Sequence, residues 1–188
     1  MAYRPTFRKQ ADGSRCQWYN CNPTSHAMAA DRHQRGIDPP GTALWKPTGA
    51  YIRSFIPGGC GGTTLNENET VLINKYRIDM LVRYNIPWDT FRSMIIAGRG
   101  AVVNIRYSVI APTRFDASPG FTGGHAIYVN ERRSSDGAFL VYDPLADGRR
   151  TGIPKGPQWW PGALLKAAAG SWTGTGLVDA SLTRDTEA

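Results

Sequence analysis

The chain has 188 residues, 41% apolar and 20% charged, with a net charge of +7, 21 glycines and 13 prolines. That length and balance support one packed domain over 1–188 and exclude a disordered chain, while the Gly and Pro content predicts irregular connections. No run approaches the ~18 apolar residues of a membrane span, and the amino terminus lacks the apolar segment of a signal peptide.

The positive balance favours polyanionic neighbours such as nucleic acid, anionic cell-wall polymers or lipid headgroups, without choosing among them. The arginines are scattered and no RNA-binding sheet motif is present, so nucleic acid is disfavoured as a partner. Three cysteines cannot all pair with one another and are few for a disulfide scaffold, so at least one is free or intermolecular.

In chain order, residues 1–20 are polar and turn-rich and read as an extended arm. A helix is predicted from Cys21 to about Gln34, because Pro23 suits a first turn, Asn20, Asn22 and Thr24 can cap, and Gly36 with Asp38-Pro39-Pro40-Gly41 stops it. Its end, Asp31-Arg32-His33-Gln34-Arg35, reads as solvated. A short helix over 48–55 meets the glycine-rich run at 57–62, a turning loop with no Gly-Lys-Ser/Thr of a phosphate loop. An amphipathic helix over 64–76 and a strand over 80–84 follow. Pro87 opens a helix to 97 that stops at Gly98-Arg99-Gly100, and 101–110 reads as a half-buried strand. The Pro- and Gly-rich stretch 111–124 is longer than most connections, a length often associated with function. Strands at 125–130 and 138–142 form a hairpin. Gln158-Trp159-Trp160-Pro161 introduces a helix ended by Gly170, and 176–183 is a last strand before the polar tail at 184–188.

Chemistry gathers first at Cys21. A sulfur in the first turn of a helix sits among unpaired N–H groups at the positive end of the macrodipole, which lowers a thiol pKa and offers donors to an oxyanion. The alternative is a small buried hydrophobe. A catalytic thiol needs a base and the base an orienting group. His26 lies about 140° around the helix from Cys21, and His33 sits at the solvated end. His125 follows Gly123-Gly124 at a strand start, where a side chain can face an opening. In an antiparallel pair the numbers of facing residues have a constant sum. His125 facing Asp143 centres the turn on Ser134, within the predicted turn, so a register uncertain by a residue or two brings the Asp143 carboxylate alongside the imidazole.

The same residues resemble a known family. Cys21-Asn22-Pro23-Thr24-Ser25-His26-Ala27-Met28 is similar to the Cys-Gly-Pro-Thr-Ser-x-Ala-Met block of papain-like cysteine peptidases related to the bacteriocin-leader-processing domains of peptide exporters. Gly124-His125-Ala126-Ile127 resembles their Gly-His-Ala-Val strand, and Tyr142-Asp143-Pro144 their Asp-Pro. The resemblance covers roughly 10–168. It implies an α+β, papain-like fold in which an amino-terminal helix bearing the nucleophile packs on an antiparallel sheet. It also implies Cys21 as nucleophile, His125 as base and acid, Asp143 as orienting carboxylate, and an upstream glutamine as oxyanion donor. Gln17 is four residues before Cys21, close for reaching back, and Gln10 is eleven before, with room for a turn; Gln10 is favoured. Asn22 stands where the family usually has glycine, and Cys16 is a candidate to cap Cys21 as a disulfide. A zinc site from Cys16, Cys21, Cys60 and a histidine matches no closed four-ligand spacing.

The expectation is therefore a peptidase acting by a Cys-His-Asp triad without metal or cofactor, with peptidoglycan peptides as a candidate substrate on the basic surface. An amidase or transamidase on the same triad is one alternative. Another is a structural component of a bacteriophage tail, among other tail proteins, since small single-domain proteins similar to this one occur there. Location is expected in a virion or the bacterial cytoplasm.

Overall fold

The computed structural model describes residues 4–33 and 48–183. Five helices lie among them, α1 (Cys21–His33), α2 (Gly49–Ser54), α3 (Leu65–Val71), α4 (Trp88–Ile96) and α5 (Gly162–Thr173). Six strands, β1 (Met80–Ile86), β2 (Ala101–Arg106), β3 (Gly124–Arg132), β4 (Phe139–Tyr142), β5 (Gln158–Trp160) and β6 (Val178–Thr183), form one antiparallel sheet in the order β1-β6-β2-β3-β4-β5.

Alternation along the strands gives the sheet two apolar faces, and helices cover both. Val103, Ile105, Ile127, Val129 and Val141 pack with Phe91 and Ile95 of α4 and Leu165, Ala168 and Ala169 of α5. Val102, Ala126, Tyr128, Leu140 and Tyr142 pack with Ala27, Met28 and Ala30 of α1 and with α2 and α3. No helix among the described residues is long and apolar enough to cross a membrane.

The helix α1 is buried between the sheet and α2/α3, and its buried polar residues are tied internally. Ser25 Oγ donates to the Ala126 carbonyl at 3.1 Å, and the Asn22 side chain donates to the Thr63 carbonyl at 2.8 Å. Arg32, expected in a solvated end, is 5% exposed, because its guanidinium donates to Asn130 Oδ1 at 2.8 Å and to the Gly98 carbonyl. Crossing α2 requires a glycine: a Cβ on Gly49 would lie 3.0 Å from the Thr24 backbone and closer still to its hydroxyl. The predicted stop of α1 beyond His33 lies outside the described residues.

Other boundaries move for local reasons. The helix read over 64–76 starts at Thr64 with a capping box to Glu67 but loosens into a π turn over Leu72–Tyr76, closed by Arg77 at φ 58°. Residues 107–109, read as strand, form a 3₁₀ turn. Gln158–Trp160 is an edge strand rather than a helix lead-in. Gly170 does not end α5; a Cβ there would lie 2.8 Å from Gly176, so it serves close packing, and Gly174 at φ 71° ends the helix.

Burial has one titratable consequence in α1. His26 is fully buried, its Nδ1–H donates to the Asn22 carbonyl at 3.1 Å, and Nε2 has no partner. Burial drives its pKa down to about 4, and the bond to Asn22 opposes this only in part. The folded state therefore resists a proton that the unfolded chain accepts below about pH 6.5. Stability contributed by neutral His26 is present above that pH and is lost as pH falls towards 4, by about 3 kcal/mol in all. Urea titrations of the wild type and His26→Gln between pH 7 and 4 should show a shallower loss in the variant; parallel curves would contradict the assignment.

Candidate active site

Three elements converge at one end of the sheet. Cys21 is the first residue of α1, preceded by Asn20, whose carbonyl accepts the Thr24 N–H at 2.9 Å. The expected side-chain caps do not form: Asn20 Nδ2 donates to Ser14 Oγ at 3.1 Å, Asn22 reaches Thr63, and the buried Thr24 hydroxyl has no partner. The first-turn N–H groups of α1 remain oriented at the sulfur's end of the helix. Cys21 is the one free cysteine and is partly exposed.

His125 lies at the start of β3 and is 3% exposed. Its Nε2 bonds to Asp143 Oδ1 at 2.7 Å, and the same oxygen accepts the Leu145 N–H at 2.8 Å. With Nε2 committed to the carboxylate, Nδ1 is the nitrogen left for sulfur, and Cys21 and His125 line the same two cavities. Tyr107 and Phe121 stand edge-on to the imidazole at 5.3 and 6.1 Å, walling the pair from water.

The contact between His125 and Asp143 arises by a register different from the one expected. Tyr128 faces Tyr142 and Val129 faces Val141, and a bulge between Val129 and Glu131 shifts the turn-side pairs. Continued past the end of β4, this register puts Asp143 opposite Ile127. His125 is two residues away on the same face, so the carboxylate reaches it diagonally. The displacement is an even number of residues, which keeps both side chains on one face.

Electrostatics couple the three groups. Burial alone would raise the Cys21 pKa, but the hydrogen bond and charge of His125, with backbone hydrogen bonds from Ala126 and Asn22, outweigh it and lower the thiol below its ordinary value. Burial likewise works against imidazolium, and the charge and hydrogen bond of Asp143, followed by those of Cys21, overcome it and raise His125. Both shifts run in the direction of a thiolate–imidazolium pair.

Gln10 is 3% exposed and anchored by its backbone N–H to the Pro144 carbonyl at 3.1 Å. Its side-chain Nε2 has only a long 3.5 Å contact to the Trp18 carbonyl, and its Oε1 has no partner, so the amide is nearly uncommitted. It lines a cavity of about 420 Å³ with Cys21, His125, Trp18, Phe121 and Leu145. Gln17 is already used: its Oε1 accepts the Gly13 N–H at 3.1 Å. A second cavity, of about 390 Å³, also opens on Cys21 and His125 and is bounded by 62–65 on one side and by Tyr84, Trp172 and Asp179 on another. The long 111–124 connection contributes Ser118, Phe121 and Gly124 to the cavity walls. Sequence reasoning had singled out none of Trp18, Tyr84, Trp172 or Asp179. Each is an ordinary turn, strand or helix residue in one dimension.

Cys16 does not cap Cys21. It pairs with Cys60 across 44 residues, which ties the turn before Trp18 to the glycine-rich run and takes two of the three sulfurs from the zinc alternative. Replacing Cys16 and Cys60 together by serine should lower the unfolding free energy by about 2–4 kcal/mol through freedom returned to the unfolded chain. Equal urea midpoints for the two proteins would show that the loop holds without the bond.

No protein-family model and no curated protein sequence matches this chain. The architecture has a counterpart in the crystal structure of a Bacillus anthracis protein described as a C39-like peptidase, which matches with a TM-score of 0.56 over 97% of this chain and 96% of that one, at 14% identity. Identity that low carries architecture and leaves chemistry to the site itself. The chain has an α+β, papain-like fold, the architecture of that C39-like peptidase.

Proposed function

We propose that this protein is a cysteine hydrolase that cleaves a peptide bond, with Cys21, His125 and Asp143 as its triad. The observation that carries the reading is a buried imidazole bonded to a buried carboxylate, with a thiol at a helix start sharing both cavities with that imidazole and lowered by its charge. Cys21 thiolate attacks the carbonyl carbon and the carbonyl oxygen gains the negative charge. Gln10 Nε2 and the Cys21 backbone N–H are the donors facing that charge. Imidazolium Nδ1–H protonates the leaving amine, whose departure leaves a thioester on Cys21. Neutral His125 then takes a proton from water as the water attacks the thioester, and the acid product leaves. Asp143 holds the ring orientation throughout and stabilises its charged form. A stem peptide of the cell wall is the substrate to which the +7 charge first directs an assay.

With Cys16 and Cys60 bonded to each other, Cys21 is the one thiol available to label. Iodoacetamide at pH 6.5 should alkylate it about 10-fold or more faster than free cysteine, since an ordinary thiol is almost wholly protonated there. His125→Ala should abolish that advantage; an unchanged rate in the variant would remove the triad. The rate should fall in acid as the thiolate takes up a proton, and Asp143→Ala should move that fall to higher pH because imidazolium loses its partner.

Gln10→Ala should leave labelling unchanged and lower kcat for peptide cleavage by about 10²–10³. Gln17→Ala should leave kcat within about twofold, as expected for a surface hydrogen bond away from the reacting atoms. Equal losses in the two variants would contradict the assignment of Gln10.

A further inference from the structure

The cavity bounded by Tyr84, Asn104, Trp172 and Asp179 contains a carboxylate that the triad does not use. Its placement follows from the sheet. Strand β6 runs between β1 and β2, and continuing the pair Val103–Ala180 by one residue sets Asn104 opposite Asp179. On the other side, β1 bulges between Arg83 and Ile86, Asn85 adopts φ 56°, and its N–H donates to Asp179 Oδ1 at 2.9 Å. The bulge therefore fixes one carboxylate oxygen by a backbone bond. Among the described residues no Lys or Arg forms an ion pair with Asp179.

The surroundings suit a cation. Tyr84 and Trp172 supply aromatic walls for a methylene stem, and Asn104 adds an amide. The Tyr84 phenol is held above its ordinary value, by burial first and then by the negative charges of Asp179 and Glu69. Arg106 lies 5.5 Å from the centre of the Trp172 ring and does not line the cavity. The cavity on the other side of Cys21 has Trp18, Tyr19, Phe121 and Leu145 in its walls and no carboxylate.

We propose that the Asp179 cavity is a subsite for a lysine or arginine side chain of an extended peptide lying across Cys21, and that Asp179 determines this specificity. The assignment rests on Cys21 being the nucleophile. It narrows the substrate class to peptides with a basic residue within a few positions of the scissile bond, since the cavity opens directly on Cys21 and His125.

The test uses N-acetylated tripeptidyl chloromethyl ketones carrying Lys, norleucine or Glu at each position in turn, with alanine elsewhere, and reads the rate at which Cys21 is alkylated. At one position the wild type should favour Lys over norleucine by about tenfold, the scale of one charge-assisted bond. Asp179→Asn retains an acceptor for the Asn85 N–H and should bring that ratio to about one, and Asp179→Lys should turn the preference to Glu. Dividing each chloromethyl ketone rate by the same protein's iodoacetamide rate removes any effect of the substitution on the thiol itself. Equal Lys-to-norleucine ratios in the wild type and Asp179→Asn would overturn the subsite. Iodoacetamide labelling no faster than that of free cysteine would instead overturn the nucleophile assignment. The ratio still reports on the subsite in that case, because an ordinary thiol reacts with the same probes more slowly.

Discussion

Everything in this site depends on how the buried start of α1 meets the end of the sheet. An ionised sulfur in a buried setting is costly unless charge and hydrogen bonds compensate it. Compensation comes from His125, from the backbone of Ala126 and Asn22, and from the first turn of the helix. The Asp143 carboxylate, fixed by the Leu145 N–H, shifts the ring towards its charged form. Removing any member leaves another as an uncompensated buried charge, so the three are chemically one unit.

The surrounding fold exists to hold that meeting in register. Ser25 bonds to the Ala126 carbonyl beside His125, and Asn22 bonds to the Thr63 carbonyl at the cavity wall, so residues near Cys21 are tied to both sides of the cleft. Asn22, where the family that the sequence resembles usually has glycine, thus has a structural use. The Cys16–Cys60 bond adds a covalent link between the arm that carries Gln10 and the loop that leads to Thr63.

Much of this was legible in one dimension because it is local. Pro23 after Cys21 marks a helix start, Gly124-His125 and Asp143-Pro144 sit at strand ends, and period-two patterns found β2, β3 and β4 to within a few residues. What escaped was non-local. The turn-side pairs Glu131–Leu140 and Arg132–Phe139 set a register that the turn residues do not announce, and the bulge beyond Val129 shifts it by one residue, so His125 and Asp143, expected face to face, meet diagonally. Arg32 looks like a surface residue until Asn130 and Gly98 come beside it. Cys16 is nearer Cys21 in sequence, yet its partner is Cys60, brought in by the path of 57–62. Asp179 reads as the exposed position of a strand, and only the bulge in β1 aims its carboxylate at the cleft.

The central claim is that Cys21 rests as a thiolate paired with imidazolium. Ultraviolet thiolate absorbance, taken as the difference between the wild type and Cys21→Ala across a pH titration, measures that state without any substrate. The account predicts absorbance already present at neutral pH and lost only on acidification, with the onset moved to higher pH in His125→Ala. Absorbance that appears only near 9.0, the value of an ordinary thiol, and is indifferent to His125, would contradict it.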